Sequence, residues 1–228
     1  MSSPTNWMKK EYDDLVKKGF DWKPPVIGGP STGRAIIDDK ERIMLCANNY
    51  LSMSNHPKVK QAAIDAVKSH GAGSGSVRPI AGNMDIHNEL EHTIARFKNR
   101  EAALYYQTGF AVNSGLIPQL AGKNDSIISD QLNHGSIIDG VRLSGVKKEN
   151  RTIYAHNDMG ELEDRLKEAT EKSEKTLVIS DGVFSMDGDI APLDEITKLA
   201  REYGLSLIHI SEPTRRRGIS YAVFCLKK

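Results

Sequence analysis

Three short loops contain the residues whose types and spacing could do chemistry. In the first, Gly109 separates an apolar run from a helical period. Glycine has no side chain to obstruct a ligand, and free backbone N–H groups at a helix N-terminus attract a phosphate dianion. A phosphate site at Gly109 and Phe110 is therefore one interpretation, and a plain strand-to-helix turn is the other.

The second loop, residues 130–136, contains His134. A histidine at this place could stack on an aromatic cofactor or transfer a proton, but a lone loop histidine is also often a helix cap or a surface residue. The third loop, residues 181–189, is rich in aspartate. It lacks the spacing and the distal glutamate of a calcium loop, which favours carboxylates that form turns.

No metal site is indicated by the sequence. His87 and His92 are five residues apart on a predicted helix and cannot share a metal as an i, i+4 pair would. The cysteines, Cys46 and Cys225, are too few and too far apart for a disulfide framework or a zinc site.

Strands and helices that could position these loops alternate after Glu101, which predicts an α/β fold with a mostly parallel central sheet flanked by helices. The loops that follow the strands would then lie at one edge of the sheet, where ligands bind. The predicted strands are Ala102–Tyr106, Ser126–Ser129, Thr152–Tyr154 and Thr176–Ser180, and the helices are Phe110–Leu120, Ser136–Leu143, Gly160–Lys172 and Leu193–Tyr203.

The residues before Glu101 divide differently. Residues 1–40 are predicted to form an N-terminal arm with one helix, Trp7–Lys18, followed by a Pro/Gly-rich extended segment. The main domain, residues 41–204, would then begin with a strand and two helices on either side of a Gly-rich loop. These elements are Arg42–Leu45, Pro57–Ser69 and Asp85–Lys98.

Composition is that of an ordinary globular protein, with 39% apolar and 27% charged residues among 228. The formal net charge of +1 gives no reason to expect nucleic acid. No apolar run approaches the roughly 18 residues that a membrane span needs, and the first residues lack the apolar region of a signal peptide. We therefore expect no membrane partner and a cytoplasmic location.

Residues 205–228 have an unusual origin in our interpretation. A transposase adapter used in sequencing-library preparation translates to LSLIHISEPTR, a short index supplies Arg216 to Gly218, and a flow-cell primer gives ISYAVFCLKK. One frame accounts for the whole tail, so we predict a translated sequencing-adapter artefact; the alternative is a buried strand over 205–210. Without the tail the formal net charge changes from +1 to −3.

Six motifs, in this order and spacing, resemble the α-oxoamine synthase family of fold-type-I, class-II aminotransferase-like enzymes that depend on pyridoxal 5'-phosphate (PLP). The resemblance extends without a gap in order from about residue 10 to residue 204. The motifs are CANNYL at 46–51, HGAGS at 70–74, Gly109-Phe110, SDQLNHGSIIDG at 129–140, HNDM at 156–159 and DGVFSMDG at 181–188.

The resemblance implies a role for each site residue. The backbone at Gly109 and Phe110 would hold the cofactor phosphate, and His134 would stack on the pyridine ring and face the substrate. Ser185 would touch the cofactor, and Asn48 would lie near the amino-acid carboxylate. The family also implies a homodimer with the active site at the subunit interface, where the Gly-rich loop and Arg78 could serve the neighbouring site.

The implied reaction condenses an amino acid with an acyl-CoA. The Asn48-Asn49 pair and residues 129–144 look closest to the branch that joins glycine and acetyl-CoA to 2-amino-3-oxobutyrate, glycine C-acetyltransferase. The main alternative is 8-amino-7-oxononanoate synthase, which uses alanine and a pimeloyl thioester. Serine palmitoyltransferase, 5-aminolevulinate synthase and a non-catalytic partner subunit are the others. Because the family's Schiff-base lysine is expected beyond Gly204, the chain as written is predicted to be inactive.

Overall fold

The computed structural model describes residues 4–211 and 221–227. The chain divides into two compact units, Met1–Gly71 and Ala72–Lys228. The predicted arm of residues 1–40 falls inside the first unit, and its boundary stays a prediction. The predicted adapter index, Arg216 to Gly218, lies outside the described residues.

The first unit combines two helices with a small antiparallel sheet. The helix Pro57–His70 begins with proline at its first position, where the missing N–H costs nothing. Ser52 has a positive φ of 53°, in the left-handed region that glycine adopts most easily. The elements are α1 (Asn6–Lys17), β1 (Ile27–Gly28), β2 (Arg34–Ile37), β3 (Lys40–Ile43) and α2 (Pro57–His70).

The second unit contains a five-stranded sheet. Its strands, in spatial order, are β5 (Arg151–Tyr154), β4 (Ser126–Asp130), β6 (Thr176–Asp181), β8 (Tyr221–Lys227) and β7 (Leu205–Ser211). Strands β5, β4 and β6 are parallel, as predicted, whereas β8 pairs antiparallel with both β6 and β7. The elements are α3 (Asp85–Phe97), α4 (Gly109–Leu120), β4 (Ser126–Asp130), α5 (Gly135–Leu143), β5 (Arg151–Tyr154), α6 (Met159–Lys172), β6 (Thr176–Asp181), α7 (Leu193–Glu202), β7 (Leu205–Ser211) and β8 (Tyr221–Lys227).

Strand β4 has an apolar layer on each face. All five of its residues are buried. Ile128 packs with α6 and α7 residues such as Leu162 and Ile196, whereas Ile127 packs on the other side with Ile117 of α4 and Ile137 of α5. Helices on both faces of a parallel sheet explain why the apolar residues of β4 (127–128) and of β6 (177–179) are consecutive and do not alternate with polar ones.

The predicted strand Ala102–Tyr106 is wrong. These residues form no regular element, and none of them is buried. A strand needs a partner to satisfy its backbone groups, and no strand of the described residues pairs with this segment. At Tyr105 a carboxylate takes the place of a partner strand, because the Tyr105 amide donates to Oε1 of Glu91 at 2.9 Å.

Helices α4 and α5 lie unusually close because of a glycine. A Cβ at Gly140 of α5 would lie 2.5 Å from the Asn113 carbonyl oxygen and 2.8 Å from Cδ1 of Ile117, both in α4. Such distances are far below ordinary contact, so only glycine fits. Since α4 begins at Gly109 and α5 follows His134, this packing fixes the distance between two predicted site residues.

Candidate active site

The loops after β4, β5 and β6 meet at one edge of the sheet. Asp130, the last residue of β4, pairs in register with Tyr154, the last of β5. Ser129 pairs with Ile179 of β6, so β6 ends near the same level. Parallel strands present their carboxyl ends together, and this edge is the usual ligand site of such sheets.

His134 is exposed at this edge, and both of its ends are held. Its backbone amide donates to Oδ2 of Asp181 at 2.7 Å. Its Nδ1 accepts a hydrogen bond from the Ser136 amide at 3.1 Å and lies 2.7 Å from the Ser136 hydroxyl. The helix-cap interpretation of His134 is therefore correct for Nδ1. When the ring is neutral, the proton lies on Nε2.

Asn133, which the sequence analysis did not single out, ties the β4 and β6 loops together. Its buried side chain donates to the Ile179 carbonyl at 2.8 Å and to the Ser129 hydroxyl at 2.9 Å, and its Oδ1 accepts from the Asp181 amide at 2.7 Å. These partners lie in neighbouring strands, so Asn133 replaces ladder hydrogen bonds where the strands end. The residue directly before His134 is therefore fixed to both strands.

The N-terminus of α4 has amides free for a ligand. Thr108 caps the helix, with its hydroxyl accepting from the Ala111 amide at 3.0 Å and its carbonyl from the Val112 amide at 3.1 Å. The hydrogen bonds of the described residues include no acceptor for the amides of Gly109 and Phe110. These two donors and the helix dipole form a ready anion site.

A hydrogen bond connects this helix end to the His134 loop. Asn113 of α4 donates from Nδ2 to the Ser136 hydroxyl at 2.9 Å. Asn113 is one turn from Gly109, a rise of about 6 Å. The first turns of α4 are therefore tied through Asn113 and Ser136 to the ring of His134.

Ser185 lies at the tip of a small hairpin, residues 182–191, which we call the Ser185 hairpin. Val183 and Ile190 form an antiparallel bridge at its base. Within it, the Gly188 amide donates to the Phe184 carbonyl at 2.8 Å, and a φ of 81° at Gly188 closes the turn. The hairpin leaves Ser185 exposed.

His156, in the loop after β5, binds two carboxylates. Its Nδ1 lies 2.9 Å from Oδ1 of Asp130 and its Nε2 lies 2.6 Å from Oδ2 of Asp189. Its ring meets Phe184 edge to face at 4.3 Å between centroids. Burial lowers the pKa of His156, but the two carboxylates outweigh burial and raise it above 6.5. The interpretation of Asp189 as a turn residue alone was therefore incomplete.

Asn48 and Arg78, two further residues that the sequence suggested, have local hydrogen-bond partners. Asn48 is exposed in the first unit, and its Oδ1 accepts from the Tyr50 hydroxyl at 3.4 Å. Arg78 is engaged within the second unit, where its guanidinium donates to both oxygens of Glu91, at 2.6 and 3.1 Å, and to Asn83.

In the described parts of the chain, no cluster of acidic, histidine or cysteine residues could hold a metal ion. Within the same parts, every helix is too short or too polar to cross a bilayer.

Comparison with known proteins decides the family. A sequence model described as aminotransferase class I and II matches residues 40–209. The chain belongs to the aminotransferase class I and II family. Its relatives are PLP-dependent α-oxoamine synthases, so the resemblance, the fold-type-I architecture and the cofactor of the family are confirmed.

Curated relatives of this aminotransferase-family chain are named 8-amino-7-oxononanoate synthase. The protein of Alkaliphilus metalliredigens is 50% identical over 198 residues, which are 87% of this chain and 49% of that protein. The protein of Thermoanaerobacter pseudethanolicus is 51% identical over the same shares. The chain thus spans about half the length of these relatives.

Solved structures agree with the family. Serine palmitoyltransferase from S. paucimobilis, solved with a bound PLP–myriocin aldimine, matches with a TM-score of 0.77 and 31% identity, covering 89% of this chain and 52% of that chain. The 8-amino-7-oxononanoate synthase of Francisella tularensis matches with a TM-score of 0.55 and 30% identity, covering 68% and 41%.

The preference for glycine C-acetyltransferase is not confirmed. The relatives at about 50% identity have the name of the alternative, 8-amino-7-oxononanoate synthase. The motif at 46–51 and residues 129–144 are short stretches, and they weigh less than identity over 198 residues. The comparisons support the coarser statement, an acyltransferase of the α-oxoamine synthase type.

Proposed function

We propose that the intact protein condenses an amino acid with an acyl thioester, and that the substrates are those of 8-amino-7-oxononanoate synthase, L-alanine and a pimeloyl thioester. The observation that carries this proposal is the sequence identity of 50%, over 87% of this chain, to a relative of that name. His134, Ser185 and the N-terminus of α4 would together form the site for this chemistry.

The residues present fit the cofactor. The free amides of Gly109 and Phe110 would bind its phosphate, because two aligned N–H donors at a helix N-terminus suit a dianion. The exposed ring of His134 would stack on its pyridine ring, and Ser185 would touch it from the hairpin tip. When bound, PLP withdraws electrons from the amino acid, so that its α-carbon can lose a proton and attack a thioester.

The hydrogen bonds of His134 define which ring nitrogen holds its proton. Because Nδ1 accepts from the Ser136 amide, the neutral ring holds its proton on Nε2. Nε2 can therefore donate a hydrogen bond to a substrate oxygen without a change of tautomer. Asp181 and Asn133 hold the backbone of this residue in place, so the donor is oriented before a substrate arrives.

Several features belong to the whole protein and are proposed with it. Asn48 would bind near the amino-acid carboxylate, the lysine that carries the cofactor would follow residue 204, and the enzyme would act as a cytoplasmic homodimer. Residues 205–228 would be translated adapter rather than natural protein. Genomic DNA read past codon 204 tests that origin: continuation into a different sequence supports it, and a genomic LSLIHISEPTR contradicts it.

The proposed reaction is tested on the full-length gene product, supplied with PLP. Free CoA is measured with L-alanine plus pimeloyl-CoA and, in parallel, with glycine plus acetyl-CoA. We expect release with the first pair to exceed release with the second. CoA release with glycine and acetyl-CoA, but not with L-alanine and pimeloyl-CoA, would overturn the proposed substrates in favour of glycine C-acetyltransferase. No CoA release with either pair would overturn the proposed reaction.

A further inference from the structure

His156 has bonding that neither the family motifs nor the proposed reaction explains. Both ring nitrogens face carboxylate oxygens, Asp130 on one side and Asp189 on the other. A neutral imidazole has one N–H and would turn a lone pair toward one of these oxygens, whereas an imidazolium donates to both. The side-chain amide of Asn157 lies 3.1 Å from Nε2 and would donate to it in a neutral ring. The lone pair of Nε2 would then still lie 2.6 Å from Oδ2 of Asp189.

The two carboxylates belong to different loops. Asp130 ends β4, is fully buried, and also accepts from the amides of Leu132 and Asn157 at 2.8 and 3.1 Å, so it is fixed in the sheet. Asp189 is part of the Ser185 hairpin, and its backbone carbonyl accepts from the Phe184 amide at 3.0 Å. His156 therefore links a fixed carboxylate to a hairpin.

The charges around His156 favour the imidazolium. Asp130 and Asp189 contact the ring, while Asp158 at the start of α6 and Glu195 of α7 border the same cleft. Among the described residues, no lysine or arginine forms an ion pair with Asp130 or Asp189. Oδ1 of Asp189 is buried without a hydrogen-bond partner, and Oδ2 also accepts from the neutral Asn157 side-chain amide at 3.2 Å. Removal of His156 would therefore leave that carboxylate without a charged partner.

We propose that His156, as an imidazolium shared by Asp130 and Asp189, is a positioning residue that fixes the Ser185 hairpin at the cofactor site. The inference rests on the proposed contact between Ser185 and the cofactor. His156 acts through the carboxylate and ring contacts at the hairpin base, with Asp189 on one side and Phe184 on the other. It needs no contact with the cofactor itself.

The proposal has a pH signature. Since the pKa of His156 is raised above 6.5 in the folded protein, the double hydrogen bond is complete below that value and is lost as pH rises through the folded pKa. The hairpin should therefore open more often at high pH, after correction for the intrinsic rate of amide exchange. A histidine that only fills space would give no such step.

The experiment uses the full-length protein in its cofactor-free form. Hydrogen exchange of the Gly188 and Ala191 amides, which bond within the hairpin, is compared with that of β4 amides, and the PLP dissociation constant is measured by absorbance. In His156→Ala we expect about tenfold faster hairpin exchange and about tenfold weaker PLP binding, the loss of one charge-assisted hydrogen bond. The amides of Ile127 and Ile128 in β4, away from Asp130, should not change, and exposed His92→Ala should match the wild type.

A second variant keeps the result interpretable if His156→Ala does not fold. Asp189→Asn retains the imidazole and its Phe184 contact but removes one charge, so the pH-dependent step in hairpin exchange should move to lower pH and PLP binding should weaken. An unchanged step with unchanged PLP affinity would overturn the proposal. So would faster hairpin exchange with no effect on PLP affinity in either variant.

These readouts need no thioester. If CoA release fails with every thioester while hairpin exchange and PLP affinity respond to His156, the proposed reaction falls and the positioning role stands. If CoA release succeeds and neither readout responds, the positioning role falls alone.

Discussion

The backbone amide of His134 donates to the Asp181 carboxylate at 2.7 Å, across 47 positions of sequence. His134 follows β4 and Asp181 is the last residue of β6, and these two strands are adjacent and parallel. A hydrogen bond to a charged acceptor is about twice as strong as a neutral one. The bond therefore holds the predicted cofactor-stacking residue against the base of the Ser185 hairpin.

His134 should have two separable roles. His134→Asn keeps a side chain that can cap α5 but removes the ring, so stability should hold while PLP affinity falls severalfold, the value of one aromatic contact. His134→Phe keeps a ring but loses the cap, so stability should fall by about 1 kcal/mol and PLP affinity should change less. Urea denaturation and absorbance titration measure both. Equal PLP affinity in wild type and Asn variant would contradict the stacking role.

The Gly109 amide should bind the cofactor phosphate. Gly109→Pro removes that N–H at the first helical position, which proline tolerates, and Thr108 before it is already extended, with φ −144° and ψ 154°. PLP affinity should fall about tenfold, with Gly109→Ala as the control. Pyridoxal without phosphate should bind both variants alike. A Pro variant with normal PLP affinity would place the phosphate elsewhere.

Gly140 should tolerate no side chain. Gly140→Ala forces α5 away from Asn113 of α4, at a cost of about 1–3 kcal/mol in the free energy of unfolding. Gly145→Ala is the matched control, because a Cβ there meets nothing within 4 Å. Denaturation midpoints compare the two. Equal midpoints would mean that the two helices do not pack at this distance.

Arg78 should stabilise the fold in a pH-dependent way. Its hydrogen bond, together with that of the Tyr105 amide, lowers the pKa of Glu91 to about 2. A depressed carboxyl pKa stabilises above the ordinary value of 4.5 and loses that effect as pH falls toward 2. The stability difference between wild type and Arg78→Ala should therefore shrink over this window.

The exposed pair of Arg34 and Glu41 supplies the control for that experiment, since exposed ion pairs contribute little. Arg34→Ala should be close to wild type at every pH. Urea denaturation from pH 7 to pH 3 measures the differences. A constant gap between wild type and Arg78→Ala would show that Arg78 acts through packing rather than charge.

Local periodicity predicted much of the second unit. Predicted Gly160–Lys172 and observed Met159–Lys172 differ by one residue, and predicted Thr176–Ser180 by one from observed Thr176–Asp181. Apolar spacing and caps are local properties, so the chain itself contains them. The same reasoning failed at Ala102–Tyr106, because a strand also depends on a partner that local sequence does not supply.

The candidate site was predicted in part. The loop after a strand suggested a role for His134, whereas Gly109 was suggested by a helix start and Ser185 by the family motifs, and the strand expected before Gly109 does not form. The structure brings the loops of His134 and Ser185 to one edge of the sheet. The contacts of His156 with Asp130 and Asp189 were missed, because these partners lie 26 and 33 positions away in the sequence. The place of the HNDM motif directly after a strand was the one signal that could have suggested it.

The central claim is that this edge binds PLP, and a crystal structure of the full-length protein with PLP tests it most directly. We expect the phosphate within hydrogen-bond distance of the Gly109 and Phe110 amides and the pyridine ring against the imidazole of His134. A phosphate bound away from the N-terminus of α4, or a ring without contact to His134, would contradict the account.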